Sequence, residues 1–477
     1  MRQRGLQGHG HILTILCCSE LVLAIDVTIV TIANPDIEKS LGFTAATLQW
    51  TLTAYALTFG GFLLLGGRLT DLYGRRRLFV GGMAAFTLAS LGAAASASSV
   101  ELVACRAAQG LAAAVIAPAA LAILASTFRE GRLRDRAYAI WATAGSLGGM
   151  IGFLLGGVLT SAFGWRSIFL INGPIGVVAI IGALAWLPEE EGTTGSRQLD
   201  LPGAVTVTAG VGLLIFGVSQ AESAGWASPS VIGSLAGSVA LIGLFLLIER
   251  HSRQPLLPLR LLRRRGAIAN VSLALLGTIS TAALFLSALY MQQVFAYSAG
   301  KAGAATLSLP AGYAIGANLG SRALNRIGAR RLAASGFVLL AASLLWLDRI
   351  PTHGRYVTTF LPALLVLGTG LGMALVPSIV TATAGVGPDD HGVAAGLCTM
   401  SQQMGGAIGL AALATIAASG VAGVGHAVAE TEGIRLAYLV AMGISVGGAF
   451  LVGFGLPDSQ PYGDNTIGEP VTAVVAG

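Results

Sequence analysis

The sequence predicts an all-α polytopic membrane protein of about fourteen transmembrane helices, and three observations carry that expectation. Of its 477 residues 54% are hydrophobic and only 10% charged, too few polar side chains to clothe soluble domains. The apolar runs are mostly roughly 18 to 25 residues long, matching the ~20 residues a helix needs to cross a hydrocarbon layer. The basic residues gather in alternate loops, the pattern of a chain threaded back and forth through a bilayer. A β-barrel, built from alternating segments of about ten residues, is excluded.

Each span is delimited by what interrupts the apolar run. The first, 12–33, follows Arg2 and Arg4. It is too long for a signal peptide, lacks a small-residue cleavage site and contains Glu20 and Asp26, so it is expected to be retained. The second, 48–66, ends in GGRLTDLYGRRR (66–77), four arginines and one aspartate among glycines. Spans at 78–97 and 102–125 follow, the latter with Arg106 inside it. Arg129, Arg132, Arg134 and Arg136 precede the fifth, 138–161, and the sixth is 167–187. The acidic linker PEEEGTTGSRQLD (188–200) leads to 203–220 and 230–249, and the basic loop ERHSRQPLLPLRLLRRRG (249–266) leads to 267–293 and 302–320. GSRALNRIGARR (320–331) then precedes 332–350, 357–381, 392–418 and 434–456. With both termini cytoplasmic, twenty-one of the 28 lysines and arginines lie inside, and six lie outside: Lys39, Arg166, Lys301, Arg349, Arg355 and Arg435. Arg106 is intramembrane. The net charge of +6 is thus a topology signal, and no soluble basic domain is present to bind nucleic acid.

An internal repeat is visible in the loops alone. GGRLTDLYGRRR aligns with GSRALNRIGARR, pairing Gly66 with Gly320, Arg68 with Arg322, Gly74 with Gly328, Arg76 with Arg330 and Arg77 with Arg331. The copies follow the second and tenth spans. A displacement of eight spans implies two six-helix halves, 1–188 and 251–457, separated by a linker with two inserted helices (189–250) and followed by a short cytoplasmic tail (458–477).

Other function classes find no support. Cys17, Cys18, Cys105 and Cys398 all fall within spans without metal-ligand spacing, so no metal site is expected. No phosphate-cradling loop or nucleophile elbow appears, and the extramembrane segments are too short for an enzyme domain; neither ATP nor any cofactor is expected.

Several stretches resemble the major facilitator superfamily, in particular its fourteen-helix drug:proton antiporter branch, across residues 12 to 456. Gly67, Leu69, Asp71, Gly74, Arg75 and Arg76 match that family's loop signature G-x-L-x-D-x-x-G-R-R/K-x. LVACRAAQGLAAA (102–114) resembles its fourth-helix motif through Arg106, Gln109 and Gly110. LAIDVTIVTIANPDI (23–37), QWTLTAYAL (49–57), which contains Tyr55, and WRSIFLINGPIG (165–176) are similar as well. Two departures stand out. GGMIGFLLGG (148–157) keeps the glycines of the fifth-helix antiporter signature, Gly148, Gly152, Gly156 and Gly157, but has Phe153 for its proline. Where the branch commonly has an arginine near its thirteenth helix, this chain has Gln402, Gln403 and Gly405.

Ionisable residues inside a membrane are costly and point to function. The resemblance implies that Asp26 is a proton-binding or cation-sensing carboxylate and that Arg106 takes part in coupling; Glu20 departs from the apolar residue usual there and is expected to reflect this protein's own substrate. For each, a buried structural tie is the plain alternative. Six positions apart, Glu20 and Asp26 are about 240° apart around a helix and cannot share a narrow face. The glycines of the fifth span let another helix approach closely. Asp71 is expected to latch the cytoplasmic side by docking near Gly392, as the resemblance suggests. The implied function is a monomeric plasma-membrane exporter of small amphipathic, cationic or antibiotic-like compounds, driven by inward proton movement. A proton-linked nutrient importer, and a non-transporting scaffold or sensor, are the alternatives.

Overall fold

The computed structural model describes residues 2–43, 45–48, 50–128, 132–189, 200–252, 255–297, 299–350, 355–384, 386–387, 390–418 and 426–456. The linker stretch 190–199, Arg129, Arg253 and the tail from 457 onward, all used above in reading topology, lie outside the described residues, as do the side chain of Phe153 and that of Asn325, which stands opposite Asp71 in the loop repeat.

The described chain is helical throughout. In order, its helices are α1 (Arg2–Leu41), α2 (Ala45–Leu48), α3 (Trp50–Tyr73), α4 (Arg75–Ala95), α5 (Ser99–Thr127), α6 (Arg132–Phe163), α7 (Ser167–Leu170) and α8 (Asn172–Trp186). There follow α9 (Leu201–Ala224), α10 (Pro229–His251), the 3₁₀ turn η1 (Leu259–Leu262), α11 (Arg264–Gln293), α12 (Ala299–Ala305), α13 (Ser308–Asp348), α14 (Tyr356–Thr383), α15 (His391–Ala418) and α16 (His426–Gly455). Among the described residues, twelve stretches are long and apolar enough to cross a membrane. The part of α13 before Gly328, and α15 with its adjacent Gln402 and Gln403, are helical but less apolar. Among the described residues twelve clear spans are therefore present where about fourteen were expected from run length.

Local chemistry sets several helix ends. Ser98 accepts the Glu101 N–H at 3.3 Å and Glu101 reaches back to the Ala97 N–H at 2.8 Å, satisfying two orphan donors at the start of α5. Asp200 does the same for the Gly203 N–H of α9. Gly74 (φ 94°) separates α3 from α4, and Gly328 (φ 81°) breaks the helical path inside α13, each in a conformation that a side chain would strain.

The repeat seen in the loops returns in the packing. α1 packs on α6, α3 on α5 and α4 on α8; later in the chain α11 packs on α15, the first part of α13 on α14 and α13 on α16. Arg76, two residues after Gly74, donates to the Leu184 carbonyl at the end of α8 at 2.7 Å; Arg330, two after Gly328, donates to the Gly453 carbonyl at the end of α16. Glycines let the parallel helices meet at backbone distance. A Cβ at Gly152 of α6 would lie 2.0 Å from Thr28 Oγ1 of α1, and one at Gly405 of α15 2.0 Å from the Ala274 carbonyl of α11. The first helices meet the later ones where α3 contacts α15 and α6 contacts α13, and α9 lies against both α3 and α15.

Candidate functional site

Asp26 is fully buried at the centre of a polar network tying α1, α3, α4, α5 and α8 together. The Arg106 guanidinium of α5 forms an ion pair with Asp26 Oδ2. On Oδ1, Asp26 accepts from Gln109 Nε2 at 2.9 Å and from Asn172 Nδ2 at 3.0 Å. Gln109 and Asn172 both also donate to Ser90 Oγ of α4, at 2.6 and 3.1 Å. Arg106 is held from its other sides: Nε donates to the Thr51 carbonyl at 2.8 Å, Nη1 to Gln109 Oε1 at 2.9 Å, and the Tyr55 ring lies 4.6 Å from its central carbon. Gly110 permits this approach, since a Cβ there would sit 2.1 Å from Thr58 Oγ1 of α3. A guanidinium cannot shed its charge, so in an apolar interior it requires this kind of enclosure. Arg106 Nη2 and Asn172 Oδ1 make no hydrogen bond among the described residues.

Glu20 sits differently. The residue is half-buried, and its carboxylate takes no hydrogen bond or ion pair among the described residues. The gap left by Gly145 of α6 accommodates it: a Cβ on that glycine would lie 2.9 Å from Glu20 Oε1. Tyr55 of α3 and Tyr313 of α13 are within its electrostatic reach, which places Glu20 where the early helices face the later ones.

The loop motif builds a second constellation at one end of the bundle. Asp71 Oδ1 accepts the Gly392 N–H at 2.8 Å, and Oδ2 the Val393 N–H at 3.0 Å, so the carboxylate occupies the positive N-terminal end of α15. Gly67 and Gly392 meet directly; a Cβ at Gly67 would lie 2.4 Å from the Gly392 carbonyl. Arg75 lies within electrostatic reach of Asp71, and Arg76 pairs with Glu189 at 2.7 Å.

Of the residues singled out in the sequence, Asp26, Arg106, Gln109, Gly110 and Tyr55 are thus brought together, while Glu20 stands apart from them. Gly148, Gly152 and Gly156 face α1; at Gly157 a Cβ would meet nothing within 4 Å. Sequence reasoning did not single out Ser90, Thr51 or Asn172. Asn172 lay inside a quoted stretch, WRSIFLINGPIG, where an amide amid apolar neighbours was the available signal.

Comparison with known proteins agrees with this architecture. The family model for the Major Facilitator Superfamily matches residues 16–410 and, in a second match, 269–475. The chain is 38% identical over 419 residues to the cephamycin export protein CmcT of Amycolatopsis lactamdurans, covering 86% of this chain and 85% of that one. It is 36% identical over 446 residues to the puromycin resistance protein pur8 of Streptomyces alboniger, covering 91% and 88%. The lincomycin resistance protein of Streptomyces lincolnensis is 33% identical over 405 residues, covering 85% and 83%. The crystal structure of the human organic anion transporter MFSD10 (TETRAN) shares the fold with a TM-score of 0.66 at 18% identity, over 93% of this chain and 99% of that one. The chain belongs to the Major Facilitator Superfamily, a family of membrane transporters and not of enzymes.

Proposed function

We propose that this protein is a secondary transporter that exports small amphipathic, cationic or antibiotic-like compounds from the cell in exchange for protons, on a scaffold of two six-helix halves and two inserted helices. Relatives named for cephamycin export and for puromycin and lincomycin resistance support the direction of transport and the substrate class. The observation that carries the coupling is the buried Asp26–Arg106 pair, a proton acceptor joined to a permanent cation in the helix bundle. A proton arriving at Asp26 cancels the charge that Arg106 answers. The guanidinium, with Nη2 unengaged, is then free to seek another partner, and the five helices joined at Asp26 shift with it. Glu20, half-buried and without a hydrogen-bond partner among the described residues, is the carboxylate open to a cationic substrate.

The test uses the full chain in proteoliposomes with an imposed proton gradient and a panel containing puromycin, lincomycin and lipophilic cations. Drug-dependent proton flux is expected, lost in Asp26→Asn. Glu20→Gln is expected to weaken the response to cations more than the response to neutral compounds. No proton flux with any member of the panel, alongside uptake of a nutrient, would sink the export reading.

A further inference from the structure

α9, the first of the two inserted helices, lies along the seam between α3 and α15, and α10 packs on its outer side against α9. At the end remote from Asp71, Trp226 in the turn between α9 and α10 donates from Nε1 to Thr415 Oγ1 of α15 at 3.0 Å. Along the seam, Thr53 of α3 bonds Ser219 of α9 at 3.1 Å, and the Trp50 and Phe216 rings lie 6.1 Å apart. Below them, Leu64 of α3, Ala204, Val207 and Val211 of α9 and Val393 and Leu397 of α15 form one buried cluster.

The chain then turns back under this cluster. Leu256 and Leu257, in the loop after α10, are buried in it. Glu249, buried at the end of α10, holds that loop by accepting the Leu256 and Leu257 N–H groups at 3.1 and 3.2 Å. The next turn, η1, delivers Arg260 to Asp390 in an ion pair. Asp390 immediately precedes the helix whose first amides Asp71 occupies, so two carboxylates stand near one positive helix end. They lie within electrostatic reach of each other, and each has a cation beside it, Arg75 for Asp71 and Arg260 for Asp390.

We propose that α9, α10 and their return loop brace the α3–α15 seam at the end that carries Asp71, with Arg260 and Asp390 as the catch and Glu249 as the residue that positions it. The inserted pair thereby holds this end closed until the catch opens, adding a second latch in series with Asp71. The inference extends the transporter reading by giving the inserted helices a role in its cycle, and it does not depend on which substrate is carried.

The experiment measures conformation directly. Spin labels at Arg77→Cys and Arg326→Cys, both exposed at this end, are introduced into full-length protein whose Cys17, Cys18, Cys105 and Cys398 have been replaced, and their separation is read in lipid nanodiscs. Arg260→Gln is expected to raise the long-distance population several-fold, as is Asp390→Asn, with no further rise when the two are combined. Arg260→Lys keeps the charge and should stay near the parent, and the swap of Arg260→Asp with Asp390→Arg should restore the short distance. An Arg260→Gln distribution matching the parent, while Asp71→Asn shifts, would overturn the brace. A parent that shows no drug-driven proton flux but whose Arg260→Gln variant still opens would overturn the antiport reading and leave the brace standing. The Arg260 side chain is 65% exposed, so its replacement is not expected to compromise folding.

Discussion

Asp26 and Arg106 differ in what their removal leaves behind. The guanidinium keeps its charge under all conditions, whereas the carboxylate can be neutralised by a proton, so an isostere of the neutral acid should be tolerated. In Asp26→Asn, an amide oxygen still accepts from Arg106, whose Thr51, Gln109 and Tyr55 contacts remain, and the new amide N–H can donate to Asn172 once that side chain turns its unengaged Oδ1 inward. Asp26→Leu offers no acceptor and strands a buried cation, a change that typically costs about 3–5 kcal/mol. The expected outcome is a folded but uncoupled Asp26→Asn protein and a poorly folded Asp26→Leu protein, distinguished by thermal unfolding in detergent and by proton-coupled transport. Wild-type coupling in Asp26→Asn would make the acid a structural tie. The charged members of this network were legible in the sequence because charge inside an apolar run is rare. Ser90 and Asn172 were not, because uncharged polar residues recur in such runs and their partners belong to other helices, and Thr51 was not, because it contributes a main-chain carbonyl that any residue carries.

Between helices, the glycines of α6 divide by what they face. A Cβ at Gly152 would collide with Thr28 Oγ1 at 2.0 Å and the Ile25 carbonyl at 2.8 Å; one at Gly148 would lie 2.6 Å from the Leu21 carbonyl. The backbone of α1 cannot yield as a flexible side chain does, so the helices must separate, and overpacking of this kind costs typically ~1–3 kcal/mol. Gly157 has nothing within 4 Å. Gly152→Ala should therefore lower the thermal unfolding midpoint and impair transport, whereas Gly157→Ala should match the parent. Equal loss at both positions would argue that the stripe acts through helix flexibility and not through contact with α1. A stripe of small residues was readable from spacing, but which of them meets a neighbour depends on the rotation of α6 against α1, which spacing does not set. The same limit explains why Glu249, Arg260 and Asp390 passed as ordinary loop charges: their partners are up to 130 positions away. The positions of the spans themselves were readable because length and apolarity are local properties. α15 is where that signal weakens, its glutamines lying in a helix that still packs along α11.

For the whole molecule, charge is expected to decide which end faces the cytoplasm. The contacts gather the Asp71 motif, Glu189, the loop after α10 and the start of α15 at one end, while the turn at Gly225 and Trp226 lies at the other. The sequence assigns twenty-one lysines and arginines to the first end and six to the second. A bias of this kind orients a polytopic chain with its basic loops inside, and here the excess is spread over several loops, so no single loop should decide the outcome. Single cysteines at Ala227 and Arg263, both exposed, test this in a cysteine-free background with a membrane-impermeant maleimide. Ala227→Cys should label in intact cells, and Arg263→Cys only after the cells are opened. Replacing Arg263, Arg264 and Arg265 together with glutamine should leave the Ala227→Cys pattern unchanged, because the other basic loops persist. Labelling of Arg263→Cys in intact cells would invert the topology, move the Asp71 latch to the outer face, and require the proposed cycle to run in the opposite sense.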